Sequence, residues 1–110
     1  MPLDGSNYET ELTRWLIEGR ENLLRLGWCS EGAYGSSGSV CMLAALPVWG
    51  RVNDSVQQAH CALEDAIGQL FGRDHIPLGV AYWNDMPVRT LDEVIAVYDR
   101  AIEISRKADQ

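Results

Sequence analysis

Three stretches of this chain repeat apolar side chains at steps of three and four residues, and none alternates them at steps of two. The first period belongs to helices with one buried face; the second would be required of half-buried strands. The clearest stretch is Val56, Ala59, His60, Leu63, Ala66, Ile67, Leu70 and Phe71, with Asn53 or Asp54 as its cap and Gly72 closing it. It predicts a helix over 54–71. A second stretch runs Tyr8, Leu12, Trp15, Leu16, Gly19, Leu23 and Leu26. Ser6 and Glu9 ahead of it have capping-box spacing, and Gly27 follows as a C-cap, so a helix is expected over 7–26. The third is Leu91, Val94, Ile95, Tyr98, Ala101 and Ile102. Thr90 and Glu93 form a second capping box, acids sit in the first turn, and Arg106 and Lys107 sit in the last. That arrangement suits the helix dipole over 90–107.

Between these helices the chain changes character. Residues 27–38 hold four glycines and three serines and read as a flexible Gly/Ser loop. Val40 to Leu46 is an unbroken apolar run, rich in Ala, Leu and Met, that Ser39 can cap and Pro47 limits. It is expected to be a short central helix. Residues 73–89 carry two prolines and a glycine, leaving room for one extra helical turn over Leu78 to Trp83, with Asn84 and Asp85 starting a turn ahead of Pro87. The expected fold is all-α: three long amphipathic helices (7–26, 54–71, 90–107) packed around a short apolar helix (40–46), in a single domain over 1–110.

Composition bounds what such a domain can do. The formal net charge is −7, which opposes the phosphate neutralisation that drives nucleic-acid binding. Acids and bases are spread along the chain rather than gathered in a basic patch or an acidic tail. The start of the chain lacks the basic-then-apolar pattern of a signal peptide, and no stretch is long and apolar enough to span a bilayer, so a cytoplasmic location is expected. Cys29, Cys41 and Cys61 are odd in number and match no zinc spacing, so reduced thiols are expected.

Several short motifs recur in a pattern of their own. Gly27-Trp28 precedes Val40-Cys41, which heads a C-x-L-x-A-L run. Further on stand Trp83-Asn84-Asp85, Pro87, Arg89-Thr90 and Glu93-Val94-Ile95 leading to Ala101. This combination, and WND-x-P-x-R-T-x-x-E-V most specifically, resembles a family of small helical proteins of unknown function from actinobacteria and their phages. The similarity covers about residues 10–105. It implies a helical fold and such a source, and it implies no activity or site residues. All bases except Lys107 are arginine, which fits a GC-rich genome.

Candidate sites follow from the residues alone. Gly32, Gly35 and Gly38 ahead of an apolar run invite comparison with a phosphate cradle. Yet no Lys or Arg lies between Glu31 and Trp49, leaving only backbone N–H groups of Ser37–Cys41 for an anion. Cys41 near a helix start would be a nucleophile if His60 or His75 served as base and Asn84 or Asp85 as orienter. Its apolar neighbours Val40 and Met42 argue for a buried thiol instead. The two histidines lack the spacing of a metal site, so neither metal nor cofactor is expected. Trp83, Asn84, Asp85 and Arg89 form either a recognition loop or a structural element, in which Trp83 plugs the core, Asn84 and Asp85 bond backbone N–H groups ahead of the last helix, and Asp85 can pair with Arg89. Trp28, Tyr34, Trp49 and Arg51 are the remaining candidates for a binding surface, because exposed Trp, Tyr and Arg dominate interface hot spots. The function expected is therefore non-enzymatic binding of a host protein or a second copy. The alternatives are a thiol-dependent hydrolase or transferase using Cys41 and, more remotely, an acidic nucleic-acid mimic.

Overall fold

A computed structural model of the chain describes residues 10–30, 34, 35, 37–50, 54–72 and 79–108. Among these residues the fold is all-α. Four helices occur in the order α1 (Glu11–Leu26), α2 (Asp54–Phe71), α3 (Gly79–Asp85) and α4 (Leu91–Ala108). The helix α4 packs along both α1 and α2, which touch each other less. Its pairing with α1 is antiparallel: the buried hydroxyls of Thr13, near the start of α1, and Ser105, near the end of α4, lie 2.5 Å apart.

The periodic stripes become buried faces. Leu16 and Leu23 of α1, Leu63 and Ile67 of α2, and Val94 and Tyr98 of α4 all reach the interior. Val97, outside the stripe read from the sequence, is also fully buried, because α4 is covered from two sides rather than one. α1 begins later than its stripe implies. Thr10 is its N-cap, with extended backbone and its hydroxyl accepting the Thr13 N–H at 3.3 Å; the Ser6–Glu9 box lies outside the described residues. At the other end Gly27 holds φ +91° and ψ 152°, a region closed to residues with a Cβ, while its N–H closes on the Leu23 carbonyl. The Thr90–Glu93 box is formed as read: Glu93 Oε1 accepts the Thr90 N–H at 2.9 Å, and Thr90 Oγ1 accepts the Glu93 N–H at 3.3 Å.

The expected central helix over 40–46 is instead a chain of turns. Ala45 N–H bonds the Cys41 carbonyl, whereas Leu46 N–H bonds Leu43 and Trp49 N–H bonds Leu46. Pro47 is a local cause: it has no N–H to give the Leu43 carbonyl and disfavours helical backbone at Leu46, so the Leu46 N–H turns to Leu43. The Met42 carbonyl accepts the Tyr98 hydroxyl at 2.5 Å. The segment still occupies the core, since Cys41, Met42, Leu43, Ala45, Leu46 and Val48 are all buried. The apolar run thus codes for burial here and not for helical geometry.

Tyr98 also explains Gly19. A Cβ at Gly19 would come within 2.8 Å of Tyr98 Cε1 and Oη. The ring is fully buried and its hydroxyl is anchored to Met42, so it has nowhere to turn. Alanine gains up to about 1 kcal/mol of helix propensity over glycine, but overpacking costs about 1–3 kcal/mol. Gly19→Ala is therefore expected to lower the denaturant midpoint; a midpoint unchanged or raised would contradict the packing.

Candidate functional site

Several of the motif residues converge on one buried joint between the 27–42 loop, α3 and the start of α4. At its centre is Asn84, the penultimate residue of α3, with no exposed surface. Its Oδ1 accepts the Trp28 indole N–H at 2.7 Å and the Met42 backbone N–H at 3.1 Å. Its Nδ2 donates to the Cys29 carbonyl at 3.1 Å and to Asp85 Oδ1 at 2.9 Å. A carboxamide offers two donor and two acceptor positions, and here all four are used.

The loop is held by backbone bonds as well. Cys29 N–H donates to Val40 O, Val40 N–H to Gly27 O, and Gly35 N–H to Ser39 O. Val40 thereby pairs with Trp28 on one side and Tyr34 on the other. These bonds also bear on the anion cradle. The N–H groups of Gly38, Val40 and Met42 donate to Gly35, Gly27 and Asn84, and with no helix over 40–46 there is no helix N-terminus to add its dipole.

Arg89 forms the second half of the joint. Its guanidinium carbon lies 3.6 Å from the Trp83 ring centroid and 5.8 Å from that of Phe71, a stacked cation–π arrangement. Its Nε donates to the Trp83 carbonyl at 2.9 Å, and its Nη1 pairs with Glu93 Oε2 at 3.3 Å. The buried charge is thus partnered and hydrogen-bonded, as burial demands. Trp83 itself is fully buried, and its Nε1 has no hydrogen-bond partner among the described residues. Trp83, Asn84 and Arg89 therefore lie inside the protein and present no side chain to a partner. Asp85 is half-buried beside them.

Among the described residues the thiol constellation is not assembled. Cys41 is buried, and burial is the main cause that pushes its thiol pKa up; the backbone N–H groups of Ala44 and Leu43 pull the other way, and Cys29 and Asp85 push further up. Among the described residues no imidazole acts on it. His60 instead stands partly exposed on α2, its Nδ1 3.6 Å from Glu64 Oε2 one turn on. His75 and Arg51 lie outside the described residues. Among the described residues no group of His, Cys, Asp and Glu is placed to hold a metal ion.

What reaches the surface is aromatic and apolar. Tyr34 is 66% exposed, Trp49 38%, Tyr82 54% and Val88 76%, with Trp28 half-buried. Tyr82 and Val88 were not singled out by the sequence. The signal was present in α3, where Tyr82 adjoins the buried Trp83, but it required knowing that α3 is a helix with one face covered.

Burial also shifts Tyr98, whose phenol pKa is raised well above its usual value chiefly by desolvation, with a smaller push from Cys41. The folded state then keeps this proton at a pH where the unfolded chain has lost it. The stability it contributes is whole below about pH 10 and falls as pH rises from there toward the folded value, by about 1.4 kcal/mol per pH unit. Cys41 adds a similar decline from a lower starting pH. Tyr98→Phe is expected to be less stable at neutral pH, having lost the bond to Met42, yet to lose stability less steeply above about pH 10. Parallel denaturation curves for the two proteins across that range would contradict the burial of this phenol.

Residues 7–104 match the sequence pattern of a family of unknown function, DUF6197, over nearly the span carried by the short motifs. No curated protein and no solved structure matches the chain. Among the described residues no helix is long and apolar enough to cross a membrane.

Proposed function

The chain belongs to the DUF6197 family, whose function is unknown, and we propose that it works by binding another protein rather than by catalysis. The observation that carries this reading is the contrast between the two sides of the joint. The side chains of Trp83, Asn84 and Arg89 are turned inward, those of Asn84 and Arg89 bonded there, while Tyr34, Trp49, Tyr82 and Val88 are turned outward. Tyr34 and Tyr82 project from the two segments that Asn84 fastens together. A pre-organised aromatic surface loses little entropy on binding, and Tyr and Trp are the residues that anchor interfaces.

The state of Cys41 supports the same choice. A buried thiol with a raised pKa holds little thiolate at neutral pH, and thiolate is the nucleophile. Nucleic-acid mimicry draws no support from the helices, where exposed Glu18, Asp54, Asp99 and Glu103 are interleaved with exposed Arg14, Arg25, Arg106 and Lys107. The setting we propose is the cytoplasm of an actinobacterium or of a cell infected by its phage, on the motif resemblance.

Affinity capture from such a lysate tests the reading. The wild-type chain should retain a protein that a Tyr34→Ala, Trp49→Ala variant loses, since removing hot-spot aromatics costs about 2 kcal/mol or more each. Both substitutions are at exposed positions, so folding should persist. Equal retention by both proteins, or rapid native-state alkylation of Cys41, would argue against it.

A further inference from the structure

The far side of the molecule carries a feature that the aromatic surface does not absorb. A groove of about 700 Å³ runs between the start of α1, the first half of α2 and the end of α4. Its apolar lining includes Leu12, Trp15, Ala62 and Ile104. The charged residues among its described lining are Glu11, Asp54 and Asp65, and none is basic.

Two of these acids have a local explanation. Glu11 and Asp54 stand in the first turns of α1 and α2, where carboxylates offset the helix dipole. Asp65 has none. It sits mid-helix, and the positions three and four residues away hold Ala62, Gly68, Cys61 and Gln69, so no helical salt bridge uses it. Nor does net charge alone dictate the sign. A second hollow, between α1 and α4, mixes Arg20, Arg106 and Lys107 with Glu21, Asp99 and Glu103, and Arg20 there pairs with Asp99 at 2.5 Å. One hollow is charge-balanced and the other is one-signed with an apolar floor.

We infer that this groove docks a basic amphipathic helix of another protein, apolar side chains on the floor and Lys or Arg against Glu11, Asp54 and Asp65. This follows the helix-in-groove mode of recognition, with charge complementarity setting the partner's sign. The other occupants fit worse. A second copy would bring a net charge of −7 toward an acidic rim. Residues 1–9 of this chain contain Asp4 and Glu9 and no Lys or Arg. The inference goes beyond the aromatic surface and shares with it only the premise that the chain acts by binding.

Cys61 lines the groove and is exposed, whereas Cys41 is buried, so Cys61 alkylation reports occupancy. The probe is a synthetic helical peptide with leucines at i, i+3 and i+4 spacing and lysines elsewhere. At saturation it should slow Cys61 alkylation in the full chain about tenfold, and the same peptide with glutamates for lysines should not. Glu11→Lys with Asp65→Lys, both at exposed positions, should weaken binding of the lysine peptide about tenfold and favour the glutamate peptide; raised salt should weaken the wild-type complex. Alkylation unaffected by the lysine peptide, or slowed equally in the charge-reversed variant, would overturn the inference. So would protection that appears as the protein alone is concentrated, which marks a second copy. Protection in the free chain that is relieved by deleting residues 1–9 marks the chain's own terminus and overturns it too. Trp49→Ala should leave the peptide readout unchanged, which separates failure here from failure of the aromatic surface.

Discussion

The carboxamide of Asn84 ties the end of α3 to two separate stretches of the loop at once. Its four hydrogen bonds reach Trp28, Cys29, Met42 and Asp85, and none of the four groups is left to find water. An apolar side chain of the same size would leave the buried Met42 N–H without its Asn84 acceptor, at about 1–3 kcal/mol, and would release the Trp28 indole and the Cys29 carbonyl from α3. A fully satisfied buried network of this kind specifies one arrangement of the loop rather than a family of them.

From that point the rest of the joint is determined. Met42 is gripped from both sides: its N–H by Asn84 of α3, its carbonyl by Tyr98 of α4. The apolar run is thereby tied to two helices as it threads the core. Tyr98 in turn needs the notch at Gly19, which fixes how closely α1 approaches α4. Arg89, stacked on Trp83 and paired with Glu93, fixes the angle at which α3 hands over to α4. Tyr34, on the loop, and Tyr82, on α3, stay exposed beside this joint.

Local pattern made the helices legible. The stripes of α1, α2 and α4 and the Thr90–Glu93 cap are contacts within a few residues, so periodicity and spacing read them directly. The α3 turn was visible as a window between breakers. The interior joint was only half visible. Asn84 was expected to bond backbone N–H groups near α4, but it bonds one 42 residues earlier, and no local rule encodes such a pairing. At 40–46 Pro47 was read as a limit to the helix, whereas the bonds on either side of it are the shorter ones of turns. At the groove, Asp54, Gln58, Cys61 and Asp65 recur along α2 at helical spacing beside the apolar stripe. That polar edge could have been noticed, but only the packing of α1 and α4 turns it into one wall of a hollow.

The account rests on Asn84 as a clamp and not merely a filler, and hydrogen exchange measures that directly. The Trp28 indole N–H and the Met42 amide both donate to Asn84 Oδ1. If the clamp holds the fold, both protons exchange only through global unfolding, at the rate of the most protected amides of α4. Exchange of either proton at the rate of an exposed loop would show that the joint opens independently, and would contradict the account.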